Sequence, residues 1–133
     1  MRAAVSLFLG ALLAAGAPAV AGDRADNRGE AKLAEALAGR TAGAPVKCLS
    51  LHNIRSSRII DRTAILYEGP GNTLYVNRPD SGSESLDSWD VLVTDTHSPQ
   101  LCNVDVVHLY DSNARMRTGF VFLGDFVPYT KAD

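Results

Sequence analysis

Two cysteines and two histidines of this chain stand in short paired spacings. Three residues separate Cys48 from His52, and four separate His97 from Cys102. Thiolate and imidazole are preferred zinc ligands, so Cys48, His52, His97 and Cys102 could together form a tetrahedral metal site. The spacing is less regular than that of a zinc finger, and the same two cysteines can form a disulfide instead.

The first residues of the chain bear on which of these two uses applies. Arg2 precedes an uncharged, Ala/Leu-rich run, which ends in the small-x-small sequence Ala19-Val20-Ala21. This pattern predicts a signal peptide over residues 1–21 and a mature chain that starts near Gly22. The run is too short and too rich in alanine to span a bilayer, and no second hydrophobic stretch follows. The sequence therefore predicts a periplasmic or secreted protein without membrane insertion.

Export favours the disulfide over the metal site, because two nearby thiols are usually oxidised outside the cytoplasm. A Cys48–Cys102 bridge would close a long loop, and the chain-entropy model assigns such a loop about 4 kcal/mol of stabilisation. The metal site remains the alternative use of these cysteines, and no cofactor is expected in the disulfide interpretation.

A second possible chemistry is hydrolysis. Asp95, His97 and Ser98 lie within four positions and include the three residue types of a catalytic triad. Triads are assembled from distant segments, however, and no Gly-x-Ser-x-Gly elbow is present. His108 lies inside a predicted strand, where a structural, hydrogen-bonded histidine is the simpler interpretation.

Arginines and aromatic residues provide candidate binding groups. Arg55, Arg58 and Arg62 could present guanidinium groups to a carboxylate or a phosphate, or they could be neutralised by Asp61. Aromatic side chains, with Trp89 among them, could stack on sugars or peptides, or they could fill the core.

Charge limits the class of partner. The formal net charge is −2 and becomes one unit more negative when Arg2 leaves with the signal peptide. A weakly acidic chain without a block of lysine and arginine argues against nucleic acid as a partner. The remaining candidates are a protein, a peptide or a component of the cell envelope.

Hydrophobic periodicity predicts a mainly β domain. A short amphipathic helix fits within residues 23–40, with Asn27 as its N-cap and Gly39 at its C-terminal end, and residues 22–45 form this helix and a linker. Residues 46–133 then contain short β-branched and aromatic runs between turn residues. The predicted strands are 46–51, 57–60, 63–68, 73–77, 89–94, 105–110 and 118–123. Seven such strands favour a small antiparallel β-barrel or sandwich.

Loops are predicted from clusters of turn residues. Residues 69–72 and 112–115 are expected to connect hairpins. Residues 78–88 contain little apolar material, which predicts an exposed and mobile loop.

The chain resembles a family of small exported proteobacterial proteins of uncharacterised function. Short motifs carry the resemblance: Leu37-Ala38-Gly39-Arg40, Cys48-Leu49-Ser50-Leu51, Ile54-Arg55-Ser56, Tyr75-Val76-Asn77-Arg78, Gln100-Leu101-Cys102 and Leu123-Gly124-Asp125-Phe126-Val127-Pro128. The resemblance implies export and no particular activity. Related sequences carry further cysteines that this chain lacks, so Cys48–Cys102 is its one possible internal bridge.

These observations predict an exported β-domain that acts as a non-enzymatic binding or interaction module and is stabilised by one disulfide. The alternative is a metal-binding protein or metalloenzyme that uses the Cys/His cluster.

Overall fold

The computed structural model describes residue 16 and residues 21–132 of the 133-residue chain. Apart from residues 16 and 21, the predicted signal peptide lies outside the described residues. Within them, helix α1 spans Ala21–Ala36. Ten strands follow: β1 Arg40–Ala42, β2 Cys48–Ser50, β3 Ser56–Ile60, β4 Ala64–Glu68, β5 Leu74–Asn77, β6 Val91–Thr94, β7 Gln100–Cys102, β8 Val106–Asp111, β9 Met116–Phe122 and β10 Phe126–Lys131. No described helix is long and apolar enough to cross a membrane.

The strands form three antiparallel sheets. The five-stranded sheet has the order β1-β10-β5-β4-β3, the three-stranded sheet has the order β6-β8-β9, and β2 pairs with β7. The mainly β, antiparallel prediction is thereby confirmed. No sheet of the described residues closes into a barrel.

The main hydrophobic core lies between the sheets. It contains buried side chains from all three of them, together with Leu86 and Leu123 of the connecting segments: Leu49, Ile59, Ile65, Tyr67, Leu101, Val107, Leu109, Val121 and Phe126. A smaller core lies on the other face of the five-stranded sheet, where Leu33 of α1 packs against Ile60, Ala64, Leu66 and Val76. The five-stranded sheet is thus covered on one face by strands and on the other, in part, by α1.

The structure has ten strands where the sequence predicts about seven, because three of the strands carry little local signal. The seven predicted segments each overlap a strand, but β1, β7 and β10 were not predicted. β1 lies in the predicted linker and pairs with the far end of the chain, with Arg40 opposite Lys131. β10 contains Pro128, which argues against an interior strand. The carbonyl of Pro128 accepts a hydrogen bond from Gly43 N at 2.7 Å, so its missing N–H lies on the side away from β5 and the ladder with β5 is kept.

Helix α1 is longer than the sequence predicts. It begins at Ala21, so Asn27 lies inside the helix and does not cap it. The helix ends at Ala36, three residues before the predicted Gly39, whose φ of 74° is left-handed backbone that allows the turn into β1. Glu30 accepts two hydrogen bonds from Arg78, at 2.6 and 3.0 Å, and these bonds lower the pKa of the Glu30 carboxyl.

Gly29 sets how closely α1 approaches the β3–β4 turn. A Cβ atom at this position would overlap the Oγ1 atom of Thr63 and would lie 2.7 Å from the carbonyl oxygen of Asp61. Although alanine is the better helix former by about 1 kcal/mol, we expect Gly29→Ala to lower the free energy of unfolding by about 1–3 kcal/mol, since the helix must move away from the sheet. Urea unfolding measures the change. Adding Thr63→Ala should recover part of the loss, and a stabilised Gly29→Ala variant would contradict this contact.

Residues 78–88, which the sequence predicts as an exposed and mobile loop, pack against β9 and the main core. Leu86 is buried in the main core, and Ser81 forms a β-bridge with Phe122 of β9. Gly82, with a φ of 87°, packs against the backbone of β9. This segment therefore covers the outer edge of β9, which leaves β6 as the open edge of the three-stranded sheet among the described residues.

Candidate functional site

The structure does not assemble the predicted Cys/His metal site. Cys48 and Cys102 are directly opposite each other in the β2–β7 ladder and form a disulfide. His52 lies in the 3₁₀ turn Leu51–Asn53, and His97 lies in the loop between β6 and β7, with both side chains exposed. Across residues 21–132, no three His, Cys, Asp or Glu side chains are close enough together to hold a metal ion. In this structure the two cysteines are bonded to each other, so neither has a free thiol for the metal site that the alternative interpretation requires.

Ser98, the predicted hydrolase nucleophile, forms hydrogen bonds within its own turn. The hydroxyl of Ser98 donates to the carbonyl oxygen of Gln100 at 3.1 Å, and the hydroxyl of Thr96 donates to the carbonyl oxygen of Ser98 at 3.2 Å. These are bonds within one turn, and none of the side-chain hydrogen bonds in the described part of the chain involves a histidine ring. The residues therefore lack the nucleophile–base pair that covalent catalysis requires.

The candidate binding residues do not form one cluster. Arg55 is exposed and precedes β3, whereas Arg58 lies beside α1. Arg62 lies in the β3–β4 turn and forms an ion pair with Asp26 of α1 at 3.3 Å. Trp89 is 85% exposed, and it lines a surface depression together with Arg62. The three arginines therefore face different surroundings along one strand and its turn.

Among the described residues, one face of the three-stranded sheet exposes several large apolar side chains. Its side chains all point away from the main core, and we call this set the outer face: Val91 and Val93 of β6, Val106, His108 and Tyr110 of β8, and Phe120 and Phe122 of β9. The opposite face carries the buried core residues Val107, Leu109 and Val121. Antiparallel sheets that are solvated on one face usually alternate apolar and polar residues. Here both faces are mainly apolar or aromatic, and Arg117, which is opposite Tyr110 in the ladder, is a charged residue on the outer face.

The side chains of the outer face contact one another. The rings of Phe120 and Phe122 meet edge to face, with centroids 5.6 Å apart. The His108 ring lies 6.2 Å from that of Phe120, which is opposite it in the ladder. Phe120 and Phe122 still leave 50% and 46% of their surface exposed. The result is a continuous aromatic and aliphatic surface with one imidazole near its centre.

The sequence contained a signal for this surface. Val91-Leu92-Val93 and Val106-Val107-His108-Leu109-Tyr110 carry bulky residues at odd and even positions alike. Such strands are normally covered on both sides. The absence of alternation in β6 and β8 is therefore the signal for the outer face, whereas the titratable residues Arg55 and His97 lie outside it.

A second candidate surface is a groove between α1 and β3, the edge strand of the five-stranded sheet. Its lining consists of Lys32, Glu35 and Ala36 of α1, residues 57–60 of β3, and Ser88. We call it the α1–β3 groove. Of the four candidate binding residues, Arg58 is the one that lines it.

Comparison with protein-family models, with curated proteins and with solved structures found no match to this chain.

Proposed function

We propose that this chain is an exported, non-enzymatic binding module whose outer face binds a protein partner through an apolar surface of that partner. The observation that supports this proposal most directly is the pair of half-exposed phenylalanines, Phe120 and Phe122, on a sheet face that also exposes Val91 and Val93. Contiguous apolar patches on soluble domains mark interaction sites, and aromatic residues are enriched in the centres of protein interfaces.

The scaffold supports this role because the binding side chains lie on strands and not on loops. The inner side of the same sheet packs into the main core, so the backbone that carries the outer face is held in place. A core shared by three sheets supports a layered, sandwich-like arrangement. The disulfide, which tethers the neighbouring β2–β7 pair, adds a covalent constraint suited to an oxidising compartment.

Export is supported by the N-terminal sequence pattern, by the disulfide and by the resemblance to small exported proteobacterial proteins. None of these supplies an activity. The proposal therefore concerns binding alone, and the periplasm or the extracellular medium is where we expect the partner.

Site-specific photo-cross-linking tests the proposal. With a photoreactive amino acid at position 93, on the outer face, we expect one defined protein to be cross-linked in cells. The same probe at position 104 is the control, since Val104 is 82% exposed but precedes β8 and lies outside the outer face. Cross-linking to a second copy of the chain, to lipid, or to nothing would overturn the proposal of a protein partner.

Phe120→Ser should remove at least nine tenths of the cross-linked product formed from position 93. Because Phe120 is already half exposed, we expect the free energy of unfolding to change by only about 1 kcal/mol. Quantitative immunoblotting measures the product, and urea unfolding confirms that the variant is folded. Val104→Ser is the matched control and should leave the product unchanged. Equal cross-linking in Phe120→Ser would show that the outer face does not carry the interaction.

A further inference from the structure

The α1–β3 groove combines an open strand edge with charged walls. It has a volume of about 670 Å³, with α1 on one side and β3 on the other. It lies on a different sheet from the outer face, so it is a separate surface and a separate candidate site.

The backbone of β3 leaves hydrogen-bonding groups directed into this groove. β3 is the last strand in the order of its sheet. The carbonyl of Ile60 accepts a bond from Thr63 N at 3.0 Å within the β3–β4 turn, which directs the polar groups of Ile60 toward β4. In an antiparallel ladder the direction alternates, so Ser57 and Ile59 direct their N–H and C=O groups outward. Among the described residues, no segment other than β4 pairs with β3.

The spacing of these groups suits an added strand. Two outward-facing residues, Ser57 and Ile59, present two N–H donors and two C=O acceptors at the repeat of an antiparallel ladder. The side chains between and after them, Arg58 and Ile60, lie on the face of the sheet that α1 covers. A peptide paired with β3 would therefore direct alternate side chains toward α1.

Charge selects the kind of peptide. Lys32 and Arg58 line the groove, and within the described residues neither takes part in an ion pair. Two other arginines do form ion pairs with α1, since Arg62 pairs with Asp26 and Arg78 pairs with Glu30. Glu35 is the one acidic side chain in the lining. Two unpaired cations flanking an open strand edge favour carboxylates on the incoming strand.

We propose that the α1–β3 groove binds an extended acidic peptide segment, which adds to the five-stranded sheet along β3 and directs carboxylates toward Lys32 and Arg58. Main-chain hydrogen bonds to Ser57 and Ile59 supply a sequence-independent part of the affinity, and the two cations supply selectivity. A second copy of this chain fits the edge less well. Symmetric pairing of β3 with itself about Arg58 would place two guanidinium groups side by side, and like charges directly opposite each other are destabilising.

The probe is a fluorescein-labelled eight-residue peptide that alternates valine and glutamate. By fluorescence anisotropy with the full exported chain, we expect it to bind at least tenfold more tightly than the corresponding valine–lysine peptide. A valine–glutamate peptide with alternate backbone nitrogens methylated keeps its charge but loses donors, and it should also bind at least tenfold more weakly. Equal binding of the methylated peptide, or no binding of the unmodified one, would overturn the proposal.

Two variants test the two halves of the site. Ser57→Pro removes an outward N–H at an edge strand, where proline is compatible with the fold, and Arg58→Glu reverses one charge. Each should weaken binding of the valine–glutamate peptide at least tenfold. Arg55→Glu is the matched control, because Arg55 is exposed nearby but does not line the groove. An Arg55→Glu variant that loses as much affinity as Arg58→Glu would indicate nonspecific charge attraction and would overturn the assignment.

The two proposed sites can fail independently. Ser57→Pro and Arg58→Glu should leave the cross-link from position 93 unchanged, and Phe120→Ser should leave peptide binding unchanged. In the wild-type protein, nuclear magnetic resonance should place the largest amide shifts caused by the peptide at Ser57 and Ile59. Shifts centred on β9 would instead assign the peptide to the outer face and overturn the groove.

Discussion

Replacing Asn77 by alanine is expected to lower the free energy of unfolding by about 3–5 kcal/mol. Asn77 ends β5 and is 0% exposed. Its Nδ2 atom donates to the carbonyl oxygen of Gly124 at 2.7 Å, and its Oδ1 atom accepts from Gly124 N at 3.0 Å. The substitution leaves both backbone groups buried without a partner, and each unsatisfied group costs about 1–3 kcal/mol.

This amide fixes the connection between β9 and β10 to the centre of the five-stranded sheet. Gly124 is itself packed so closely that a Cβ atom would overlap the carbonyl oxygen of Arg78. The connection therefore has no room to rotate and find other partners. For this reason we expect little relief of the cost by local rearrangement.

Asn77→Leu separates hydrogen bonding from packing. Leucine fills the space of the amide but provides neither donor nor acceptor, so we expect a loss as large as that of Asn77→Ala. Asn103→Ala is the matched control, since Asn103 donates to the neighbouring Asp125 at 2.7 Å in an exposed bond and should cost less than about 1 kcal/mol. Urea unfolding gives all three values. A well-tolerated Asn77→Leu would contradict the assigned role of the amide.

The sequence predicted those parts of the fold that are encoded locally. The turn residues over 69–72 and 112–115 connect antiparallel neighbours, β4 with β5 and β8 with β9. The Cys48–Cys102 pair was predicted from residue type and compartment, and the structure places the two residues opposite each other. The turn signals lie within a few neighbouring residues, and the disulfide follows from the chemistry of two cysteines in an oxidising compartment.

Parts that depend on distant pairing were not predicted. β1 has three residues and becomes a strand because β10 lies beside it, which no local pattern reveals. The same limit affects the candidate sites. Which side of β8 faces the core follows from the packing of three sheets, so the exposure of Phe120 and Phe122 could not be read from alternation alone. Prediction of the α1–β3 groove requires knowing that the helix packs beside an edge strand.

Removal of the disulfide by Cys48→Ala together with Cys102→Ala is expected to lower the free energy of unfolding by up to about 4 kcal/mol. The bridge closes a loop with a sequence separation of 54 residues, which includes strands of all three sheets. Cross-linking these ends restricts the unfolded chain far more than the folded one, in which β2 and β7 already pair. For a small domain, this loss is a large part of the total stability.

Reduction of the wild-type protein with dithiothreitol should reproduce the result of the double variant, because both remove the same restriction on the unfolded chain. Ser50→Ala together with Gln100→Ala is the matched control: this pair faces across the same ladder two residues from the bridge and should cost less than about 1 kcal/mol. If the double cysteine variant also loses less than 1 kcal/mol in urea unfolding, the unfolded chain must already hold these ends together. If the expected loss is found, folding of this domain depends on oxidation, and the oxidising compartment that the N-terminal sequence predicts becomes a requirement for its stability.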